Sequence, residues 1–153
     1  MARQKITPFL WFDGKAEEAA EFYVSIFPDS AVTGVTPGPT GAPLVVQFRL
    51  AGVEFLALNG GPQFRFNEAI SLAIDCRSQA EVDELWEKLS AGGSQGQCGW
   101  LKDRYGLSWQ VVPAVLPKLL ADPDRAKAAR VMEAMMRMTR LDLQALQDAA
   151  DGS

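Results

Sequence analysis

A chain of 153 residues with 48% hydrophobic and 22% charged residues has the composition of one folded globular protein, which argues against a disordered chain. A net charge of -4 without any basic block argues against nucleic acid as a partner, because phosphate binding needs clustered Lys and Arg. No apolar run approaches the ~20 residues of a spanning helix and the N-terminus has no apolar signal region, so we expect a cytoplasmic protein that makes no use of a membrane.

The sequence contains no histidine, which removes the commonest protein ligand for Zn, Fe and Ni and the usual general base near neutral pH. Cys76 and Cys98 do not form a C-x-x-C pair, so we expect two reduced thiols, with neither a zinc site nor a disulfide. We therefore predict no metal and no cofactor. Any chemistry depends on carboxylates, amides, hydroxyls, thiols or the backbone.

The first half of the chain predicts a strand, a helix and a hairpin, in that order. Residues 6–12 form an apolar and aromatic run typical of a buried strand. In residues 16–27 the apolar positions recur at helical spacing and stop before Pro28. Residues 46–50 alternate between apolar and polar, and Ala51-Gly52 reverses the chain into a second strand.

The second half of the chain predicts the same order of elements. Residues 70–74 form a strand, and Ser78 with Glu81 fits a capping box at the start of a helix. A second hairpin turns around Gly106. Residues 16–23 align with residues 79–86 at an offset of 63, which indicates an internal repeat.

The chain resembles the PhnB-like branch of the vicinal oxygen chelate superfamily, which includes glyoxalases, bleomycin resistance proteins and dioxygenases. The likeness runs from Ile6 to Pro113, and its most specific part joins Cys98-Gly99-Trp100 to Asp-x-x-Gly-x-x-Trp-Gln at residues 103–110. The branch carries the label 3-demethylubiquinone-9 3-methyltransferase. The resemblance implies an α+β fold in which two tandem βαβββ units form a mixed, curved half-barrel sheet around a cavity, with C-terminal helices added.

The resemblance also indicates where a metal would bind, since metal-dependent members take ligands from the first and last strands of each unit. The corresponding positions here fall at Leu56 and Gln110 and near Ile6 and Ala69. Among these, Gln110 alone has a ligand-type side chain. A carboxylate site for Mg or Mn remains an alternative, with Asp13, Glu54, Asp75 and Asp103 as its candidate ligands.

We predict that the cavity binds a small apolar or aromatic molecule without a His-ligated metal, since ligand pockets are mostly hydrophobic with a few placed polar groups. Each candidate also has a structural interpretation: the aromatic residues as core, the amides and Ser71 as ordinary strand or turn residues, and Cys98 as a buried thiol. The predicted ligand-binding residues are Phe9, Trp11, Asn59, Phe64, Ser71, Cys98, Trp100, Trp109 and Gln110.

Two other functions remain open, and no catalytic residue is assigned. One is an enzyme of the superfamily, a methyltransferase as labelled or a lyase or isomerase, that works with an oxygen-ligated metal or with none. The other is an interaction module whose cavity is filled by its own aromatic side chains.

The predicted organisation is a glyoxalase-like domain over residues 1–113 and a helical extension over residues 114–153. Asp122-Pro123-Asp124 predicts a helix start, with Asp122 as N-cap and Pro123 in the first turn. The methionine-rich stripe over residues 131–138 needs a covering surface, which is the domain itself or a dimer mate. We expect a homodimer.

Overall fold

The computed structural model describes residues 4–152, which form two compact units, one ending at Phe66 and the other starting at Asn67. The elements of the first unit are β1 (Phe9–Phe12), α1 (Ala16–Ile26), β2 (Ala31–Pro37), β3 (Pro43–Leu50) and β4 (Val53–Asn59). Its strand order is β1-β4-β3-β2, with β1 parallel to β4 and the remaining pairs antiparallel.

The second unit repeats this arrangement and then adds three helices. Its elements are β5 (Ser71–Cys76), α2 (Gln79–Ser90), β6 (Ser94–Gln95), β7 (Trp100–Lys102), β8 (Ser108–Pro113), α3 (Val115–Leu120), α4 (Arg125–Met136) and α5 (Leu143–Asp151). The strand order is β5-β8-β7-β6, again with the first pair parallel and the others antiparallel. The predicted α+β fold of two βαβββ units is confirmed, and both sheets are open.

The helix of each βαβββ unit packs on one face of its sheet through an apolar stripe. Tyr23 of α1 is fully buried, and its ring stacks near that of Phe48 with centroids 6.2 Å apart. Trp86 of α2 takes the equivalent place and is 2% exposed. Since α1 begins at Ala16 and α2 at Gln79, the predicted offset of 63 residues is confirmed for the helices.

The start of α2 has the capping box that its sequence predicts. The Ser78 hydroxyl accepts a hydrogen bond from the Glu81 backbone N–H at 3.1 Å. The Glu81 carboxylate accepts in return from the Arg77 N–H at 2.9 Å, one residue earlier than in the usual motif. These bonds satisfy backbone donors that the first turn of a helix leaves free.

The predicted start of α4 is wrong by two residues. Asp124, and not Asp122, is the N-cap, because its carboxylate accepts from the N–H groups of Ala126 and Lys127 at 3.2 Å each. Asp122 instead accepts from the Asp124 N–H at 2.8 Å, which shapes the turn before the helix. Pro123 therefore precedes the cap and does not enter the first turn.

The C-terminal helices form an apolar cluster of their own, and the C-terminal segment also bonds to the βαβββ part of the second unit. The Gln79 side chain donates to the Leu141 carbonyl at 3.1 Å and accepts from the Leu143 N–H at 2.7 Å. The Cys98 N–H donates to the Met138 carbonyl at 2.8 Å. The buried residues of the cluster are Leu116, Leu119, Val131, Leu141, Leu146 and Ala150.

Within residues 4–152 no helix is long and apolar enough to cross a membrane.

Candidate functional site

The face of the second sheet that α2 leaves uncovered carries the candidate site. Side chains alternate along a strand, so Ser108, Gln110 and Val112 of β8 share this face, while Trp109 and Val111 point toward the core. The register adds neighbours from both flanking strands to the same face. These are Ser71, Ala73 and Asp75 of β5, and Trp100 and Lys102 of β7.

A cavity of about 440 Å³ lies on this face, and we call it the apolar pocket. The sheet residues Ala73, Trp100, Gln110 and Val112 line it together with Asp75. The other lining residues include Leu116 and Leu120 of α3, Met135 of α4, and Cys98. This volume and mostly apolar lining, with a few polar groups, are typical of a site for a small organic molecule.

A smaller cavity of about 230 Å³ lies further along the same sheet face. We call it the polar pocket after the polar side chains in its lining, which are Glu68, Ser94, Lys102 and Ser108. Trp100 lines both pockets. Ser108 is 1% exposed, and its hydroxyl has no hydrogen-bond partner among the described residues. The Lys102 ammonium forms an ion pair with the Glu68 carboxylate. The hydrogen bond that Lys102 donates in this pair lowers the pKa of the Glu68 carboxyl. Ser94 completes the polar lining.

Gln110 lines a pocket and also forms a hydrogen bond within the sheet. Its amide nitrogen donates to the Ser71 hydroxyl at 2.9 Å, a bond that joins β8 to β5 across the open face. The same side chain lines the apolar pocket. Ser71 therefore orients one polar group of the pocket, although it is not itself among the lining residues.

Of the predicted site residues in the second unit, the structure brings Cys98, Trp100 and Gln110 together around the apolar pocket. Trp109 lies on the other face of β8, where it is 3% exposed and its indole N–H donates to the Asp103 carboxylate at 2.9 Å. The alternation that brings Gln110 to the open face therefore turns Trp109 into the core.

The predicted site residues of the first unit form a separate set. Phe9 is 55% exposed, and Trp11 meets the ring of Phe64 edge-on at 4.9 Å. The Asn59 side chain accepts from the Ala16 N–H at 2.8 Å and donates to the Pro43 carbonyl at 2.9 Å. Its amide thus caps the first turn of α1, a structural role that uses its polar atoms.

Several lining residues were not predicted from the sequence, including Ser108, Lys102 and Met135. The alternation around Gln110 was a sufficient signal for Ser108, which lies two residues earlier on the same strand. No comparable signal existed for Met135, because its place beside the pocket depends on how the C-terminal helices dock.

The donor groups do not fit a metal centre. Gln110 is opposite Ala73 and Trp100 in the sheet, and neither neighbour can bind a cation. Within residues 4–152 no group of three His, Cys, Asp or Glu side chains is placed to hold a metal ion. Asp103, one of the candidate carboxylates, accepts bonds from the N–H groups of Tyr105 and Leu107 as well as from the indole of Trp109.

A third cavity of the second unit, about 450 Å³ in volume, is lined mainly by polar groups near α2. Several of its side chains already have partners. Gln79 binds the backbone before α5, and Asp83 forms an ion pair with Arg140 at 3.3 Å. We assign these residues to the docking of the C-terminal segment.

Comparison with known proteins gives one family and a set of related folds. The model of a family described as 3-demethylubiquinone-9 3-methyltransferase matches residues 4–112. The PhnB protein from Bacillus cereus, which carries the same methyltransferase name, is 35% identical to this chain with a TM-score of 0.68, and the match covers 72% of this chain and 100% of that protein. No curated protein matches the sequence.

Two further solved structures are more distant. The fosfomycin resistance protein FosX from Listeria monocytogenes, solved with Mn(II) and sulfate, is 20% identical with a TM-score of 0.51, over 71% of this chain and 90% of FosX. A glyoxylase/bleomycin resistance protein/dioxygenase domain from Frankia sp. EAN1pec is 17% identical with a TM-score of 0.51, over 71% of this chain and 90% of that domain. At this identity the likeness concerns the fold alone.

Proposed function

Because the chain belongs to the 3-demethylubiquinone-9 3-methyltransferase family of PhnB-like, glyoxalase-fold proteins, we propose that it uses this fold to bind a small apolar or aromatic molecule. The observation that carries the proposal is the apolar pocket of about 440 Å³ on the open face of the second sheet. An apolar ligand gains affinity there by leaving water, and Gln110 supplies one oriented polar contact.

The composition of the pocket supports an aromatic ligand in particular. Trp100 offers a ring for edge or offset contacts, and Met135 offers a polarisable thioether that adapts to the ligand's shape. Leu116 and Leu120 contribute aliphatic surface opposite the sheet. Such a lining distinguishes ligands by shape and apolar area more than by hydrogen bonding.

Methyl transfer does not form part of the proposal, although the family carries that name. Binding a methyl-donor nucleoside usually relies on a glycine-rich turn between a strand and a helix. In this chain β1 joins α1 through Asp13-Gly14-Lys15, and β5 joins α2 through Arg77-Ser78. Neither connection offers the run of glycines that lets a backbone approach a nucleotide closely.

A titration with the fluorescent probe N-phenyl-1-naphthylamine tests the proposal, because this uncharged aromatic amine brightens in apolar surroundings. Ala73 is exposed on the sheet face and lines the pocket, so Ala73→Phe fills the pocket with a ring. Ala129→Phe is the matched control, because Ala129 is exposed on α4 and does not line the pocket.

We expect saturable binding of one probe per chain to the wild type and to Ala129→Phe. For Ala73→Phe we expect the affinity to fall at least about tenfold, which corresponds to the loss of roughly 1.4 kcal/mol of contacts. Equal affinity of Ala73→Phe and the wild type, or no saturable binding at all, would show that the apolar pocket is not the binding site.

The homodimer expected from the sequence remains a proposal. It is supported by the outer face of α4, where Met132 is 44% and Met136 is 59% exposed. Light scattering coupled to gel filtration measures the subunit number. A mass of one chain at all concentrations would contradict it.

A further inference from the structure

Ser108 is the most unusual polar group on the open face of the second sheet. It is 1% exposed, and within residues 4–152 its hydroxyl finds no hydrogen-bond partner. Buried hydroxyls are nearly always paired, since leaving one unpaired is costly. Ser108 lines the polar pocket, so a ligand oxygen that enters this pocket would offer its O–H an acceptor.

Lys102 adds a positive charge to the same pocket. It is directly opposite Ser108 in the β7–β8 pairing, and its ammonium is paired with the carboxylate of Glu68. Both partners of this ion pair are about half exposed, at 44% for Lys102 and 60% for Glu68. Such a pair contributes little to stability, so an incoming carboxylate can replace Glu68 at small cost. Glu68 thus shows that a carboxylate fits beside Lys102.

The polar pocket adjoins the apolar pocket. Trp100 lines both of them. Ser108 and Gln110 are two residues apart on one strand and share a face, which separates them by roughly 7 Å. A bicyclic aromatic acid spans that distance, with its rings in the apolar pocket and its carboxylate beside Ser108.

We propose that the polar pocket anchors the carboxylate of an apolar or aromatic acid, with the Ser108 hydroxyl and the Lys102 ammonium as hydrogen-bond donors. This inference rests on the proposed function, because it takes the body of the ligand to lie in the apolar pocket. Glu68 competes with the ligand for Lys102 and so tunes the affinity for acids. The site therefore selects apolar carboxylic acids over uncharged molecules of the same shape.

Displacement of N-phenyl-1-naphthylamine by two competitors tests the anchor. The competitors are 2-naphthoate and 2-naphthamide, which share a ring system and differ in charge. The measured quantity is the ratio of their affinities at pH 7. Variants Ser108→Ala, Lys102→Gln and Glu68→Gln probe the three polar groups. Glu84→Gln and Lys88→Gln are matched controls, because these two residues form an exposed ion pair on α2.

For the wild type we expect 2-naphthoate to bind about tenfold more tightly than 2-naphthamide, an effect that the two donors share. Ser108→Ala and Lys102→Gln should each lower the ratio about threefold, because each variant removes one of the two donors. Glu68→Gln should raise the ratio about threefold, because it removes the competing carboxylate. The two α2 controls should leave the ratio within about twofold of the wild type.

The outcomes separate this inference from the function on which it rests. Failure of the probe to bind the wild type overturns the proposed function. Probe binding with a wild-type ratio near one, or a ratio that Ser108→Ala and Lys102→Gln leave unchanged, overturns the anchor alone. A lower ratio in Glu68→Gln also contradicts it. Ser108→Ala should fold normally, with an unchanged or higher melting temperature, because it removes a hydroxyl that has no partner.

Discussion

Replacing Asp103 tests the support of the hairpin that carries the candidate site. Asp103 is 2% exposed, and its carboxylate accepts at least three hydrogen bonds. One oxygen accepts from the backbone N–H groups of Tyr105 at 2.8 Å and Leu107 at 3.1 Å, and the other accepts from the Trp109 indole at 2.9 Å. These bonds hold the turn between β7 and β8, the two strands that contribute most of the polar pocket.

Asp103→Ala removes the acceptor for three N–H groups at once. Bonds to a charged acceptor contribute about 1.5–3 kcal/mol each, but bonds to one group are not additive, so we expect a loss of about 3–5 kcal/mol in the free energy of unfolding. Asp103→Asn keeps one oxygen for the backbone but places an NH₂ group against the Trp109 indole N–H. We expect that variant to lose about 1–3 kcal/mol.

Urea unfolding, followed by circular dichroism and tryptophan fluorescence, measures both losses. Asp13→Ala is the control, since Asp13 is an exposed carboxylate at the end of β1 and its replacement should change stability by less than about 0.5 kcal/mol. A loss below about 1 kcal/mol in Asp103→Ala would refute the reasoning, because it would mean that the three donors do not depend on this carboxylate.

Three further predictions concern the framework around the site. Gly99→Ala should destabilise the protein by several kcal/mol, because the residue has φ +84° and an added Cβ would lie 2.8 Å from Leu141. Thermal unfolding measures the loss, and an unchanged melting temperature would contradict the docking of the C-terminal segment. Iodoacetamide should label the half-buried Cys98 before the buried Cys76, and N-phenyl-1-naphthylamine should slow labelling of Cys98 because Cys98 lines the apolar pocket. Mass spectrometry of peptides measures the labelling rate of each thiol, and faster labelling of Cys76 would contradict its burial. Burial raises the pKa of the Cys76 thiol from 9.0 to about 12, so between these pH values the unfolded state binds fewer protons than the folded state. The free energy of unfolding should therefore fall as pH rises, by at most about 1.4 kcal/mol per pH unit. Urea unfolding from pH 9 to 11 measures this slope, and an equal slope in Cys76→Ala would contradict its assignment to Cys76.

The sequence predicted the fold where local patterns determine it. The apolar stripe that ends in Tyr23 repeats 63 residues later at Trp86, and both stripes form helices that pack on a sheet. Ser78 caps α2 as its position predicts. The predicted start of α4 was wrong because two aspartates flank Pro123, and the N-cap is the one whose carboxylate reaches the first-turn N–H groups.

The site was less predictable because it depends on which face each strand side chain occupies. The sequence analysis predicted that both Trp109 and Gln110 bind the ligand, although adjacent residues on a strand point to opposite faces. The face that Ser108 occupies follows from that of Gln110 by alternation alone. Its lack of a hydrogen-bond partner depends on the surrounding fold, which no local pattern encodes. Met135 enters the pocket through tertiary docking, and no local pattern encodes that contact.

The methionine methyl groups can report where a bound probe lies on the protein. Met135 lines the apolar pocket, whereas Met132 lies on the same helix at 44% exposure and outside it. With ¹³C-methyl methionine and added N-phenyl-1-naphthylamine, we expect a ring-current shift of the Met135 signal that saturates at one probe per chain, and little change at Met132. Saturable binding that leaves the Met135 signal in place would contradict the proposed function, because the ligand would then lie outside the apolar pocket.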